Sequence, residues 1–327
     1  MKGARGEVRA MPQVPVGCST ELAPEGLQFL TALFEKHDED KDACLSPSEL
    51  ANLFSDALAS VETNARGWLT YHGYIAFWNM MAYTNLSQTI ELLAYLGFAV
   101  GRPSVKQAIR VTRERRLDLA EKSTTRRVFQ CLVVAAKDAG KTVFLQSLVG
   151  RNLQDVGAMG KRHTPYVCNR VRVKDDDKYL LFREVDVLSP SDALAAGELS
   201  ADVVCLLYDV SNPDSFAYAA TVFLKYFHRT RVPVVVVATK VERVEVEQRY
   251  DQQPEDFCRA HELPRPLRFS KDQMGRADCY IFAQLTQLAA FPHLRRVYFL
   301  HDSNVLSKIT FGAALAALAG FLVYRNR

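Results

Sequence analysis

Apolar residues recur along this chain with two different periods, and the change falls near residue 125. Before it they come every three or four positions: Leu27 to Lys36 (LQFLTALFEK), Pro47 to Leu58, His72 to Tyr83 and Asn85 to Gly97 each predict a helix. After it the apolar runs are of strand length, at 128–136, Tyr166 to Val173, Tyr179 to Val185, Ala201 to Val210, Val232 to Lys240 and Arg265 to Ser270. Helical stretches separate most of these runs, which predicts a mainly parallel sheet with ligands at the C-terminal ends of its strands. The two runs flanking Lys174-Asp175-Asp176-Asp177-Lys178 read instead as a hairpin, so one antiparallel pair is expected.

The turn Lys137-Asp138-Ala139-Gly140 joins the first strand to an amphipathic helix, Lys141 to Gly150. Strand, turn and helix in that order are what a phosphate-binding loop needs. Backbone N–H groups at the helix start would wrap a polyphosphate, Lys141 would pair with its outer oxygens, and the Thr142 hydroxyl would hold Mg²⁺. Lys137, Asp138, Ala139, Gly140, Lys141 and Thr142 are therefore the candidate phosphate site. The match to GxxxxGK[ST] is incomplete, because Ala135 stands at the first glycine position and its Cβ is expected to crowd the turn. A Gly-Lys-Thr that merely starts a helix is the competing reading.

In the helical half, Asp38 to Glu49 (DEDKDACLSPSE) directly follows a helix. Asp38, Asp40, Asp42 and Ser46 place side-chain oxygens at loop positions 1, 3, 5 and 9, Glu49 closes position 12, and the Cys44 carbonyl supplies position 7. This is an EF-hand loop for Ca²⁺, with Ser46 acting through water. Ala43 occupies the turn position where glycine is usual, and a left-handed backbone there costs about 1 kcal/mol. Leu45 should pair with a partner loop. Gly67-Trp68-Leu69-Thr70-Tyr71 and the helix after it fit a degenerate, ion-free partner hand. The Leu-rich face of Asn85 to Gly97 would dock between the hands or pack otherwise in the core. The expected divisions are a flexible N-terminus (1–20), an EF-hand pair with its docking helix (21–100), a charged linker (101–126), a nucleotide domain (127–295) and a juxtamembrane segment (296–308). The linker cluster Arg110, Arg113, Arg115 and Arg116 is read as a solvated face or as a contact for phosphate or anionic lipid.

A chain of 327 residues supports two or three domains, and a net charge of +4 without a dense basic tract excludes general attraction to nucleic acid. Seven scattered cysteines, an odd number with no CxxC pair, suit a reducing compartment. Residues 1–10 are basic but lack the apolar core of a secretory signal. Ile309 to Tyr324 (ITFGAALAALAGFLVY) carries no charge and is flanked by Lys308 and Arg325. As a helix it would be about 24 Å long against a hydrocarbon core of about 30 Å. It is expected to be a transmembrane tail anchor (309–324), with a buried core helix as the alternative.

The stretch Tyr208-Asp209-Val210-Ser211-Asn212-Pro213-Asp214-Ser215-Phe216, with Ala238-Thr239-Lys240 and Ser270-Lys271 in register, resembles small GTPases. Joined to the EF-hand loop, the degenerate hand and the C-terminal apolar run, residues from about Cys18 to Arg327 resemble the C-terminal portion of the mitochondrial Rho GTPase (Miro) family. That family's N-terminal GTPase domain and first EF-hand pair fall outside this sequence. The resemblance implies a multidomain protein: an all-α EF-hand pair, an α/β P-loop (Ras-like) GTPase domain and a C-terminal transmembrane helix. It also implies GTP/GDP, Mg²⁺ and Ca²⁺ as ligands, slow GTP hydrolysis, residence in the mitochondrial outer membrane facing the cytosol, and motor adaptor proteins of the Milton/TRAK type as partners. Thr239, Lys240 and Glu242 stand where the family reads guanine with NKxD, and Ser270 would support the ring edge. Glu184 stands for the family's Mg²⁺ aspartate, Val187 for its γ-phosphate glycine, and Thr164 is the nominated switch threonine. Lys141, Thr142 and Lys137 are the catalytic candidates, Lys137 replacing or blocking an arginine finger, or simply facing solvent. A non-hydrolysing nucleotide-bound scaffold, or a calcium-only membrane docking scaffold, is the alternative function.

Overall fold

The computed structural model describes residues 13–49, 57–98, 105–158, 165–173, 176–185, 200–273 and 280–295. The helical half opens on strand β1 (Thr20–Leu22) and helix α1 (Pro24–His37). It continues through β2 (Cys44–Leu45), β3 (Leu69–Thr70), α2 (Tyr71–Thr84), α3 (Leu86–Tyr95), β4 (Ile109–Val111) and α4 (Arg115–Glu121). β2 and β3 pair antiparallel with Leu45 opposite Leu69, the loop-to-loop pairing expected of two hands. Thr70 caps α2 by accepting from the Gly73 N–H at 3.0 Å, and Asn85 caps α3 by accepting from Gln88. Helix α2 is apolar nearly all round, the pattern of an enclosed helix. Its Tyr74, Ile75, Ala76, Phe77, Trp78, Met80 and Ala82 are all buried. Gly73 lets the chain pass there, because a Cβ would fall 2.1 Å from the Glu62 carbonyl oxygen.

The stretch expected as a charged linker instead contains regular structure. β4 pairs antiparallel with β1, Thr20 opposite Val111, and α4 follows. The arginines there are engaged within the fold: Arg110 with Glu21, Arg113 with Asp118 and Glu121, Arg115 with Asp202, Arg116 with Glu114. Opposite charges at matched spacing, rather than repulsion, explain why this run is ordered. Residue 20, placed in the flexible N-terminus, begins β1, and residues 1–12 lie outside the described part. So do residues 50–56 of the expected exit helix; Ala57–Ser60 form one 3₁₀ turn.

The second half is built from β5 (Val128–Ala135), α5 (Lys141–Ser147), α6 (Leu153–Ala158), β6 (Tyr166–Val173), β7 (Asp176–Glu184) and β8 (Val203–Asp209). After these come α7 (Ser215–Val222), β9 (Val234–Thr239), α8 (Pro254–Ala260), β10 (Leu267–Arg268) and α9 (Tyr280–Ala290). The strands form one six-stranded sheet in the order β10-β9-β8-β5-β7-β6. All neighbours are parallel except β6 and β7, the expected hairpin. Strands β5, β8 and β9 are buried on both faces and accordingly read as largely apolar runs. This mixed sheet with flanking helices fits a GTPase domain. Cys131, Cys168, Cys205 and Cys258 are free thiols inside it, and burial raises the pKa of each.

The two halves share a core. Leu22, Leu30, Trp78, Phe98 and Ile109 of the helical half form one apolar cluster with Val128, Cys168 and Leu181 of the sheet. Polar contacts close the seam. The Glu21 carboxylate accepts from the Arg127 and Val128 N–H groups at 2.8 and 3.2 Å. Arg151, after α5, donates to the carbonyls of Ala59, Val61 and Leu58. Arg126 donates to Asp202 through both terminal nitrogens, at 2.8 and 2.9 Å. A calcium-driven repositioning of the helical pair against the sheet would have to open this apolar contact.

No helix among the described residues is long and apolar enough to cross a membrane, and the candidate span Ile309–Tyr324 lies outside them. The juxtamembrane segment, 296–308, lies outside them as well.

Candidate functional site

The ends of β5, β8, β9 and β10 meet at one edge of the sheet, and the chemistry gathers there. β5 runs straight to Ala135, which is buried and carries no left-handed backbone angle. The left-handed angles of the turn fall further on, at Asp138 (φ 62°) and Gly140 (φ 84°). Gly140 caps α5 in the left-handed region, where any Cβ is strained although the nearest side-chain atoms are 3.8 Å away. Lys137, Asp138 and Thr142 are exposed, while Ala139 is buried under the loop. The Lys141 ammonium lies 2.6 Å from Glu184 Oε1, both side chains being largely buried, so β7 holds the head of this lysine.

The loop is fastened from the opposite side. The Thr239 hydroxyl lies 2.7 Å from the Ala139 carbonyl and 2.9 Å from that of Tyr208, with one proton to share between them. Lys240 donates to the Asp138 carbonyl at 2.6 Å and to Asp209 at 2.5 Å. Lys240 itself is left-handed, at φ 57°, a bend that turns its side chain back over the loop. Glu242 is exposed and accepts from the Lys271 N–H at 3.4 Å; the Ser270 hydroxyl accepts from the Asp272 N–H at 3.1 Å. The fold thus brings the loop 137–142 together with Thr239, Lys240, Glu242 and the Ser270 turn. Thr164, Asp186 and Val187 lie outside the described residues.

One member of this cluster carried no assigned role in the sequence reading. Asp209 ends β8, is 4% exposed, and binds Lys240 and Ser211. Burial alone would raise its pKa, but the bonds from Lys240 and Ser211 outweigh that and hold it below the usual carboxylate range. The available signal was a lone carboxylate closing an otherwise apolar strand at the ligand-binding end of a parallel sheet.

The second site is the loop after α1. Carboxylate oxygens of Asp38, Asp40 and Asp42 lie within 4.8 Å of one another. Ala43 takes φ 61°, the left-handed angle expected where glycine is usual. Asp38 is the buried member and accepts from the N–H groups of Asp42 and Ala43. The Cys44 N–H donates to Asp42 at 2.7 Å. Glu49 closes the loop by accepting from the Ser46 hydroxyl and N–H at 2.6 and 2.8 Å and from the Glu39 N–H at 3.1 Å. The Ser46 hydroxyl bond is the main reason the Glu49 carboxyl sits below its ordinary pKa. A concave set of hard oxygens around a left-handed turn fits a calcium-sized cation.

A family described as EF hand associated matches residues 55–123, a span that includes α2, α3, β4 and α4. Over 328 aligned positions the chain is 63% identical to Mitochondrial Rho GTPase 1 of Caenorhabditis elegans, covering 96% of this chain and 52% of the relative. The identity to Mitochondrial Rho GTPase 1 of Caenorhabditis briggsae is 62%, with the same coverage. This chain is homologous to the mitochondrial Rho GTPases. It spans about half the length of the curated relatives it matches. Most of the charged stretch before β5 falls within the span matched by the EF hand associated family, as do the strand and helix found there.

Proposed function

We propose that the chain is the calcium- and guanine-nucleotide-binding, GTP-hydrolysing part of a mitochondrial Rho GTPase. One observation carries this reading: the loop 137–142 is fastened to the end of β9 by Thr239 and Lys240, while Lys141 is held from β7 by Glu184. Such fastening would hold the loop's backbone in place, so that little ordering would be required when a polyphosphate arrives. Lys141 would neutralise the outer phosphate oxygens. Thr142 would hold Mg²⁺, which supplies charge neutralisation when bound. Glu242 would take the guanine N–H edge through its carboxylate, with Lys240 along the base and Ser270 at its rim. Lys137, exposed on the loop, would meet charge developing on the transferred phosphoryl group.

Asp38, Asp40, Asp42, Cys44, Ser46 and Glu49 would hold Ca²⁺. Because the helical half and the sheet share one core, the ion would act by stiffening the joined unit rather than by swinging one half away. The relatives' name supports a mitochondrial location and the apolar run Ile309–Tyr324 supports a tail anchor, while residence in the outer membrane and Milton/TRAK-type motor adaptors as partners rest on the family resemblance alone. A scaffold that holds nucleotide without hydrolysis is favoured by Val187 at a glycine position. Single-turnover GTP hydrolysis decides between the two. A rate well above that of the Lys141→Ala variant supports the enzyme, and equal rates eliminate it.

A further inference from the structure

A cavity of about 170 Å³ lies at the opposite edge of the sheet, where β5, β8 and β9 begin, roofed by α4 and the end of α9. Its walls are mostly apolar: Phe129, Val232, Pro233, Ala289, Ala290 and Pro292. Charge enters from one side. The Arg126 guanidinium, with a side chain 4% exposed, stacks over Phe129 at 4.9 Å and gives both terminal nitrogens to Asp202. Its Nε is sealed from solvent with no acceptor, a state that costs stability. Arg115 and Arg231 also line the space, so three guanidiniums face two carboxylates, Asp118 and Asp202. Asp118 is already taken by Arg113 and Thr124.

We propose that this cavity binds a small amphiphilic anion, a carboxylate carried on an aromatic ring or a short alkyl chain. A planar carboxylate is the acceptor that guanidinium groups match best, and the excess of cations asks for a negative charge. The apolar walls ask for a hydrocarbon body. The volume is close to that of a benzene-binding cavity, about 150 Å³, which limits the ligand to roughly six to ten non-hydrogen atoms. Inorganic phosphate has the charge but leaves the apolar wall without contact. A neutral alcohol of the same shape has the body but leaves the excess of guanidinium charge on Arg115, Arg126 and Arg231 unmatched. The site is separate from the phosphate loop, so occupation should not compete with nucleotide. By touching α4, β5 and α9 together, the ligand would tie the helical half to the sheet.

Benzoate and hexanoate, each titrated into the full chain by calorimetry and followed by thermal melting, test this. Saturating benzoate or hexanoate should raise the melting temperature by about 2 °C or more. Benzyl alcohol, hexanol and phosphate should bind at least about tenfold more weakly, a factor set by the lost charged hydrogen bond. Ala290→Leu fills the cavity and should abolish binding. Arg231→Gln, at the exposed rim, leaves the core untouched and should weaken binding of the anions while leaving that of the alcohols unchanged. No binding of either acid at millimolar concentration, equal binding of acid and alcohol, or unaltered binding to both variants would each overturn the proposal.

Discussion

Asp202→Asn is the sharpest probe of how the two halves are joined. The Asp202 side chain is 3% exposed and accepts from Arg126 twice and from the Gln130 N–H at 2.8 Å, with Arg115 Nε at 3.2 Å. Burial alone would raise its pKa, yet Arg126 and Arg115 hold it below the ordinary aspartate value of 3.8. Asparagine keeps the shape and an acceptor for Gln130, and removes the charge. What remains is a guanidinium sealed in the core without its counter-ion, at a cost of about 3–5 kcal/mol. At roughly 2–4 °C per kcal/mol for a domain of this size, the melting temperature should fall by about 6–20 °C. Adding Arg126→Met removes the stranded charge as well, so the double variant should recover at least half of the loss. Urea titration followed by the fluorescence of buried Trp78 measures both variants. A single variant within about 1 kcal/mol of the parent, or a double variant no better than the single, would refute the argument that this pair is held by mutual neutralisation.

The remaining predictions concern the two ligand sites and acid. Thr239→Val preserves volume but strips the proton shared between the Ala139 and Tyr208 carbonyls, and fluorescent GDP should bind about fivefold to tenfold more weakly with the fold intact. Asp40→Asn removes one of three converging charges and should lower calcium affinity about tenfold in an isothermal titration, while leaving GDP binding unchanged. Asp202 and Asp209 both have depressed folded pKa values, so their contribution is full above the ordinary value of 3.8 and drains as pH falls below it. Denaturation midpoints should drop through that window, and less steeply in Asp202→Asn; an identical slope in parent and variant would exclude Asp202 as a source.

Much of the architecture was legible because period and length are local signals. The β6–β7 hairpin, the parallel direction of the other strands and the pairing of Leu45 with a partner loop all follow from alternation and loop position. The phosphate loop and the carboxylates after α1 were legible for a related reason, since both sites are built from consecutive residues. What escaped depends on residues far apart in the chain. Glu21 meets Arg127 across 106 positions and Arg126 meets Asp202 across 76, so nothing in a window around Arg110 or Arg126 says that these charges have partners. The same holds for Lys240 and Asp209, 31 residues apart. Charge density alone reads as solvated linker until the topology supplies the other half of each pair.

The common apolar cluster also sets the order in which this protein can be made. When residues 13–125 have left the ribosome, the apolar cluster around Leu30, Trp78 and Ile109 still lacks Val128, Cys168 and Leu181. The nascent helical segment must therefore persist in a sticky, incompletely closed form for the time needed to add roughly 55 more residues, several seconds at ordinary elongation rates. A truncation that stops before β5 should consequently accumulate with chaperones or precipitate, and a cut placed between the halves would yield two fragments that need each other to become soluble.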